Sequence, residues 1–374
     1  MRNAITALCI AAAALLFFGL VLVYTASSAL KGGAAPFLLK QLLAAAAGLA
    51  MGSFCALADY SLWRNRIVLV IISVIAIAGS MLVFLWDPVN GSRRWIAIAG
   101  FSLQPSEFSR IAMLMALSAW YAGIGLRARE FARGVLIPAA IAMAFLAPVA
   151  ASPDVGATLV MCVGAAAIFL AAGVKIRWMA VGGVAIVALV GFMLATSPNK
   201  RARVMVYFDK LRGIETKSAA AYHVEQSMEA FAQGGMKGRG IGRSIQKYSF
   251  LPEANSDFIF AIAAEEFGFA ATSLMVLAYM AILWCGIFIA YHAHDRFGKF
   301  LALGITVTIA FEAAFNVGMV TGCLPTKGIA LPFASAGGSS LMASMIIVGL
   351  LLSIGAASVR AAAATTMRDA QIEY

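Results

Sequence analysis

Phe258 to Tyr291 reads FIFAIAAEEFGFAATSLMVLAYMAILWCGIFIAY. A helix crosses a bilayer in about 20 apolar residues, so this run is too long for one perpendicular span. Glu265, Glu266 and Gly268 all fall in its first third. Residues 257–268 are therefore expected to form a separate half-helix or tilted entry, with the span proper behind it. Working outward, similar apolar runs recur along the chain. Ten spans are expected at 4–26, 37–58, 67–86, 107–125, 134–151, 154–173, 178–196, 258–291, 300–321 and 337–358. The 374 residues are 62% hydrophobic and 12% charged, against about 25% charged in soluble domains. Spanning strands would need polar alternation at every second residue, which is absent. The chain therefore reads as an all-α polytopic membrane protein with ten transmembrane helices and one large extracytoplasmic loop, 197–256. The first run follows Arg2 much as a signal peptide would. It is longer than a typical signal core and more spans follow, so it reads as a retained helix. Residues 1–360 read as one transmembrane domain and 361–374 as a short, disordered cytoplasmic tail.

Basic residues orient the spans. With the N-terminus inside, the inner side holds Arg2, Arg64, Arg66, Arg127, Arg129, Arg133, Lys175, Arg177, Arg296, Lys299, Arg360 and Arg368. The short outer loops hold only Lys31, Arg93, Arg94 and Lys327, and Lys40 lies just inside the second span. Both termini are then cytoplasmic. The net charge of +11 follows this topology and does not indicate nucleic acid. Cys9, Cys55, Cys162, Cys285 and Cys323 lie in or beside apolar runs without a CxxC pair, and only His223, His292 and His294 are present. Neither a disulfide framework nor a His/Cys metal site is expected. Within the long loop, 219–233 has the pattern of an interfacial amphipathic helix. The glycine-rich stretch 234–242 reads as a flexible basic turn.

Four clusters facing outward carry possible chemistry. Arg93 and Arg94 precede Trp95, and read equally as snorkelling anchors or as ligands for a phosphate headgroup. Glu107 and Arg110 share a helical face, and Asp154 opens the sixth span. These three are expected to meet as a structural ionic cluster, because burying either sign alone is costly. Asp257 ends the polar loop just where apolar sequence resumes. It reads either as a carboxylate favoured by a helix dipole or as a catalytic group. Glu265 would sit about 12 Å from it along a regular helix, too far for a carboxylate pair acting at one bond. In the fourth cluster, Pro325, Gly328 and Pro332 break the helix between spans nine and ten. Gly337 and Gly338 would let backbone approach a ligand, and Ser339 and Ser340 could cap the last helix. Lys327 faces the same side as Asp257. Glu312, within span nine, needs a partner or a hydrated cavity.

In this order, Gly91-Ser-Arg-Arg-Trp-Ile, Gln104-Pro-Ser-Glu, Pro153-Asp-Val-Gly, Leu251-Pro-Glu-Ala-Asn-Ser-Asp-Phe-Ile-Phe, Leu324-Pro-Thr-Lys-Gly and Ala336-Gly-Gly-Ser-Ser resemble the SEDS family (shape, elongation, division and sporulation) over nearly the whole chain. The Leu-Pro-Thr-Lys-Gly form is more similar to the division branch than to the elongation branch. The resemblance implies a peptidoglycan glycosyltransferase of the bacterial inner membrane. Such enzymes polymerise lipid II beside a class B penicillin-binding protein and other division-complex membrane proteins. It also implies that Asp257 is the essential loop aspartate. Departures are Asn255-Ser256 for the usual His-Thr, Arg110 for Lys, Ala336 for Tyr and Glu312 for Gln. On this reading Asp257 is the general base, and Arg93, Arg94, Lys327, Lys237, Arg239 and Ser339 are candidates for holding pyrophosphate. A divalent cation (Mg or Mn) could assist, though no ligand cluster marks a site. Lipid II flippase and non-catalytic scaffold are the rival functions, and the elongation branch is the rival assignment within the family.

Overall fold

A computed structural model describes residues 1–29, 33–87, 92–98, 101–195, 198–212, 214, 219–248, 251 and 254–372. Lys31, Asn90, Gly91, Pro252 and Glu253 lie outside the described residues. The spanning helices are α1 (Arg2–Ser27), α2 (Ala34–Leu57), α4 (Arg66–Leu82), α5 (Pro105–Ile124), α6 (Ile137–Ala151), α7 (Val155–Ala171), α8 (Ile176–Ala195), α11 (Ile259–Tyr291), α12 (Arg296–Val320) and α13 (Gly338–Ile372). Each matches one of the ten expected spans. Nine are long and apolar enough to cross a membrane by length and composition, and α7 is a shorter apolar helix between them. Short α3 (Tyr60–Arg64) precedes α4, while α9 (Pro198–Leu211) and α10 (Ala219–Gly234) belong to the long loop.

α12 lies at the centre, packed on α5, α7 and α11. α13 runs along α2 at close range: a Cβ on Gly52 would lie 2.6 Å from the Met345 carbonyl oxygen. Small residues at such crossings let two backbones approach within dispersion range, which lipid cannot match. α8 stands at the periphery with few buried residues.

Three expectations need correction. The tail does not become irregular at Arg360. α13 continues to Ile372, since Ala361–Ala364 are strong helix formers. The outer segment before α5 is not plain loop either. Strands β1 (Ile96–Ile98) and β2 (Phe101–Leu103) pair antiparallel with Ile96 opposite Leu103. Its signal was the short apolar–small alternation around Ala99-Gly100, too brief to stand out beside the apolar runs. The third correction concerns the glycine-rich stretch 234–242, which is not a free turn.

α11 breaks at Gly268 (φ 76°, ψ −175°), so the expected half-helix is present as residues 259–267. A break in a helix deprives up to four carbonyls and four N–H groups of their helical partners. The glycine-rich stretch meets two of each. Arg239 N and Gly240 N donate to the Glu265 and Glu266 carbonyls (2.9 and 3.0 Å), and Phe269 N and Ala270 N donate to the Gly235 and Met236 carbonyls (2.8 and 3.4 Å). A Cβ on Gly268 would stand 2.6 Å from the Met236 oxygen. Gly268→Ala is therefore expected to destabilise by more than the ~1 kcal/mol a compatible Gly/Ala exchange can gain. A thermal midpoint several degrees lower in detergent is the expected result. An unchanged midpoint would show that the break tolerates a side chain.

At the end of the bundle opposite the long loop, Asp295 caps α12 through Gly298 N (2.9 Å) and accepts from the Tyr60 hydroxyl (2.7 Å). Arg64 pairs with the same carboxylate at 3.1 Å. Burial, then the Asp295 carboxylate, pushes the Tyr60 phenol well above its ordinary pKa, so it stays a donor. This knot ties the α2–α4 connection to the α11–α12 connection and leaves the chemistry to the other end.

Candidate active site

Five spanning helices begin at the loop-bearing end: α2, α5, α7, α11 and α13. Their free N–H groups and dipoles favour anions there. The connections between them are laced together. Gln104 N donates to Ser339 Oγ (2.8 Å), joining the starts of α5 and α13. Gln104 Nε2 donates to Asp154 Oδ2 (3.1 Å), joining α5 to α7. Gly156 packs on the 324–336 connection, where a Cβ would lie 3.1 Å from the Gly328 carbonyl.

The Asp257 loop closes the ring. Asn316, buried on α12, donates from Nδ2 to the Asp257 carbonyl (2.9 Å) and to the Ile329 carbonyl (2.8 Å). Ser335 Oγ donates to the Ser256 carbonyl (2.7 Å), and Ala336 N to the Asn255 carbonyl (2.9 Å). The backbone around the aspartate is thus pinned from two elements. Its carboxylate is half-buried and lies against Gly328, where an added Cβ would be 2.9 Å from Oδ2. A side chain there would meet that oxygen and push the Asp257 carboxylate aside. The neighbouring residue is Lys327, half-buried, whose N–H faces the Met319 sulfur.

The other expected residues divide. Arg94 is 3.8 Å from Asp154 Oδ1, and Arg93 donates to the Phe84 carbonyl (2.7 Å). Both line a recess of about 10 Å³, room for about one water, together with Ser80, Ser106, Ser152 and Asp154. Among the described residues, Arg94 Nε, Ser80 Oγ and Ser106 Oγ have no hydrogen-bond partner there, so the recess is rich in donors. Ser339 is fully buried and bonded to the Gln104 and Ser102 backbone. It ties α13 to the hairpin and is not exposed to an incoming ligand. Lys237 and Arg239 are exposed, but they sit beside the Gly268 break. The half-helix separates that break from Asp257 by about 15 Å at 1.5 Å per residue, so the structure does not bring these two to the aspartate.

The ionic cluster also differs from expectation. Arg110 bonds Glu107 (3.1 Å) and Glu312, both nearly buried. Asp154 instead meets Arg94, accepts from Gln104 and caps α7 through Ala157 N (3.2 Å). Spacing within α5 pointed to the first pair; the approach of α12 to α5 supplied the second. The departures from the family pattern fall into contacts: Arg110 touches Glu312, and Ala336 touches Asn255. Lys247, which pairs with Glu266 at 3.1 Å with both side chains essentially inaccessible, was not singled out by sequence reasoning. Its signal was slight: it is the one charged residue between Arg243 and Glu253. Among the described residues, no three His, Cys, Asp or Glu side chains are grouped to hold a metal ion.

A multi-pass helical membrane protein with a half-buried carboxylate pinned at the end where five spanning helices begin is the class the fold and site define. The chain matches the family model described as "Cell cycle protein" (FTSW_RODA_SPOVE) over residues 6–359, and it belongs to that family. It is 36% identical to a probable peptidoglycan glycosyltransferase FtsW of Trichlorobacter lovleyi, covering 92% of this chain and 91% of that protein. It is 35% identical to the stage V sporulation protein E of Bacillus subtilis, covering 91% and 93%. In fold it is similar to a chain from a peptidoglycan synthase complex that coordinates polymerisation and crosslinking (TM-score 0.74, 22% identity, covering 94% and 97%). It is also similar to the rod shape determining protein RodA of Thermus thermophilus (TM-score 0.68, 21% identity, covering 93% and 95%).

Proposed function

We propose that this chain is a peptidoglycan glycosyltransferase of the division type that polymerises lipid II, with Asp257 as its general base. The observation that carries the reading is the Asp257 carboxylate, half-buried and set against Gly328 beside Lys327. The acceptor's GlcNAc 4-hydroxyl gives its proton to Asp257 as its oxygen attacks the donor's anomeric carbon. The bond from that carbon to the lipid pyrophosphate breaks, the electron pair leaves with the pyrophosphate, and the anomeric centre inverts. Pyrophosphate is a good leaving group, so a second carboxylic acid is not required. Its growing charge is met by Lys327, by Arg93 and Arg94 at the donor-rich recess, and by the helix starts.

The basic residues at the opposite end support a cytoplasmic location for that end. Both termini are then inside, the chain sits in the inner membrane, and the site opens on the outer face. A class B penicillin-binding protein is the expected partner, with other division-complex membrane proteins. The likeness to a chain of a polymerising and crosslinking complex supports this. Purified protein, with and without its cognate penicillin-binding protein, should convert labelled lipid II in detergent into long glycan resolved on a gel. Movement of lipid II between leaflets of a vesicle with no polymer formed would reject the reading and favour a flippase.

A further inference from the structure

We propose that Lys247, Glu265 and Glu266 are positioning residues for Asp257, a role that rests on the reading of Asp257 as the base. Asp257 stands at one end of the half-helix and Glu265 and Glu266 near the other, where Ser244–Lys247 meets them. This second end is a buried clamp. The Glu265 carboxylate accepts from the Ser244 hydroxyl, from Ile245 N (2.7 Å) and from Gln246 N (3.3 Å). Glu266 Oε1 accepts from Lys247 Nζ (3.1 Å) and Ser244 N (3.4 Å), and Lys247 Nζ also donates to the Gly242 carbonyl (2.8 Å). Ser244, Lys247, Glu265 and Glu266 are each at most 3% exposed.

Charges so deeply placed are held by their partners, and removing one leaves the other buried without compensation. The carbonyls of the same two glutamates also accept two of the four backbone bonds that splint the Gly268 break. Side chain and main chain at this point therefore act on one joint. Residues 259–264 of the half-helix are almost inaccessible, and close-packed segments transmit displacement rather than absorb it. Asp257 is thus held from both directions. The α12 and 324–336 contacts fix its backbone, and the clamp fixes where the half-helix ends. Neither glutamate acts on substrate itself: Glu265 lies about 12 Å along the helix from Asp257, and both carboxylates are buried against protein donors, Glu266 through Oε1 alone. A misplacement of about 1 Å in a reacting group can cost about a hundredfold in rate.

The test uses the full chain with its penicillin-binding protein partner and labelled lipid II. Lys247→Met should lower kcat at least tenfold in the folded, monodisperse fraction with KM unchanged, and Lys247→Arg should recover at least a third of the loss. A second readout needs no activity. Asn255→Cys with Ala336→Cys, in a chain freed of its native cysteines, should crosslink readily. Adding Lys247→Met should cut that yield at least threefold. Should Lys247→Met fail to fold, Ser244→Ala removes a single hydroxyl from the clamp and should move both readouts in the same direction by a smaller factor. Wild-type turnover with undiminished crosslinking in the folded variant would overturn the proposal. Failure of the wild-type protein to make glycan would instead reject the function, and the crosslinking yield would still decide the positioning.

Discussion

Asp257→Asn is expected to abolish glycan synthesis while leaving the protein folded and membrane-inserted. The amide has the shape of the carboxylate, and the contacts that hold this stretch use backbone atoms: the Asp257 carbonyl with Asn316, the Ser256 carbonyl with Ser335 and the Asn255 carbonyl with Ala336. None of these depends on the charge. What the variant loses is the ability to take a proton from the attacking hydroxyl. A positioned general base contributes about 10²–10⁴-fold in rate, so residual polymerisation at about 1% or less of wild type is the expected range. Labelled lipid II and gel-resolved product measure it, with size-exclusion behaviour and thermal midpoint as controls for folding. Substantial polymerisation by a well-folded variant in the purified complex would remove Asp257 from the role of base. A non-catalytic scaffold would make no glycan as wild type or as variant while still binding the penicillin-binding protein, so that binding should be followed in parallel.

The largest effect on stability is expected from Arg110→Met. Arg110 is 3% exposed and Glu312 5%, and one guanidinium fork reaches Glu107 on its own helix and Glu312 on α12. Removing the arginine leaves two carboxylates facing each other across the α5–α12 contact in a region with little water. Breaking a buried pair in this way costs about 3–5 kcal/mol, enough to lower the thermal midpoint sharply and reduce the recoverable folded protein. Restoring neutrality should recover much of the loss. Arg110→Met combined with Glu107→Gln and Glu312→Gln buries no net charge, and such replacements are often close to neutral. Arg110→Lys should be intermediate, because an ammonium on a flexible stem cannot engage both carboxylates with the planar fork of arginine. A single Arg110→Met variant with an unchanged midpoint would show that water reaches this pair.

The relation between this network and the site explains why sequence reasoning found one part of it and not another. Glu107 and Arg110 are three residues apart in one helix, and helical geometry alone sets them side by side. Arg110 and Glu312 are 202 residues apart, and nothing along the chain specifies that α12 meets α5 at that level. Asp154 carries a charge at the start of the next span, which made it a reasonable third member. In the structure, Gln104 and Arg94 are nearer to it. The same limit hid the clamp. Glu265 and Glu266 are conspicuous in an apolar run, but their donors lie about twenty residues back in a polar stretch with no helical or strand period to place it. Lys237 and Arg239 were grouped with the aspartate because they share its loop. The backbone bonds to Glu265 and Glu266 attach them to the far end of the half-helix.

By itself the sequence determined the class of protein, the number and order of the spans, the break near Gly268 and the aspartate to examine. Each follows from local physics: the length of apolar chain a bilayer demands, the 3.6-residue period, and the cost of a carboxylate beside lipid. Tertiary structure alone decided which charges pair, that the glycine-rich stretch splints a broken helix, and that Gly328 lies against Asp257. Those outcomes depend on which helices touch and at what depth, and a contact between residues tens or hundreds of positions apart leaves no period in the chain from which it could be read.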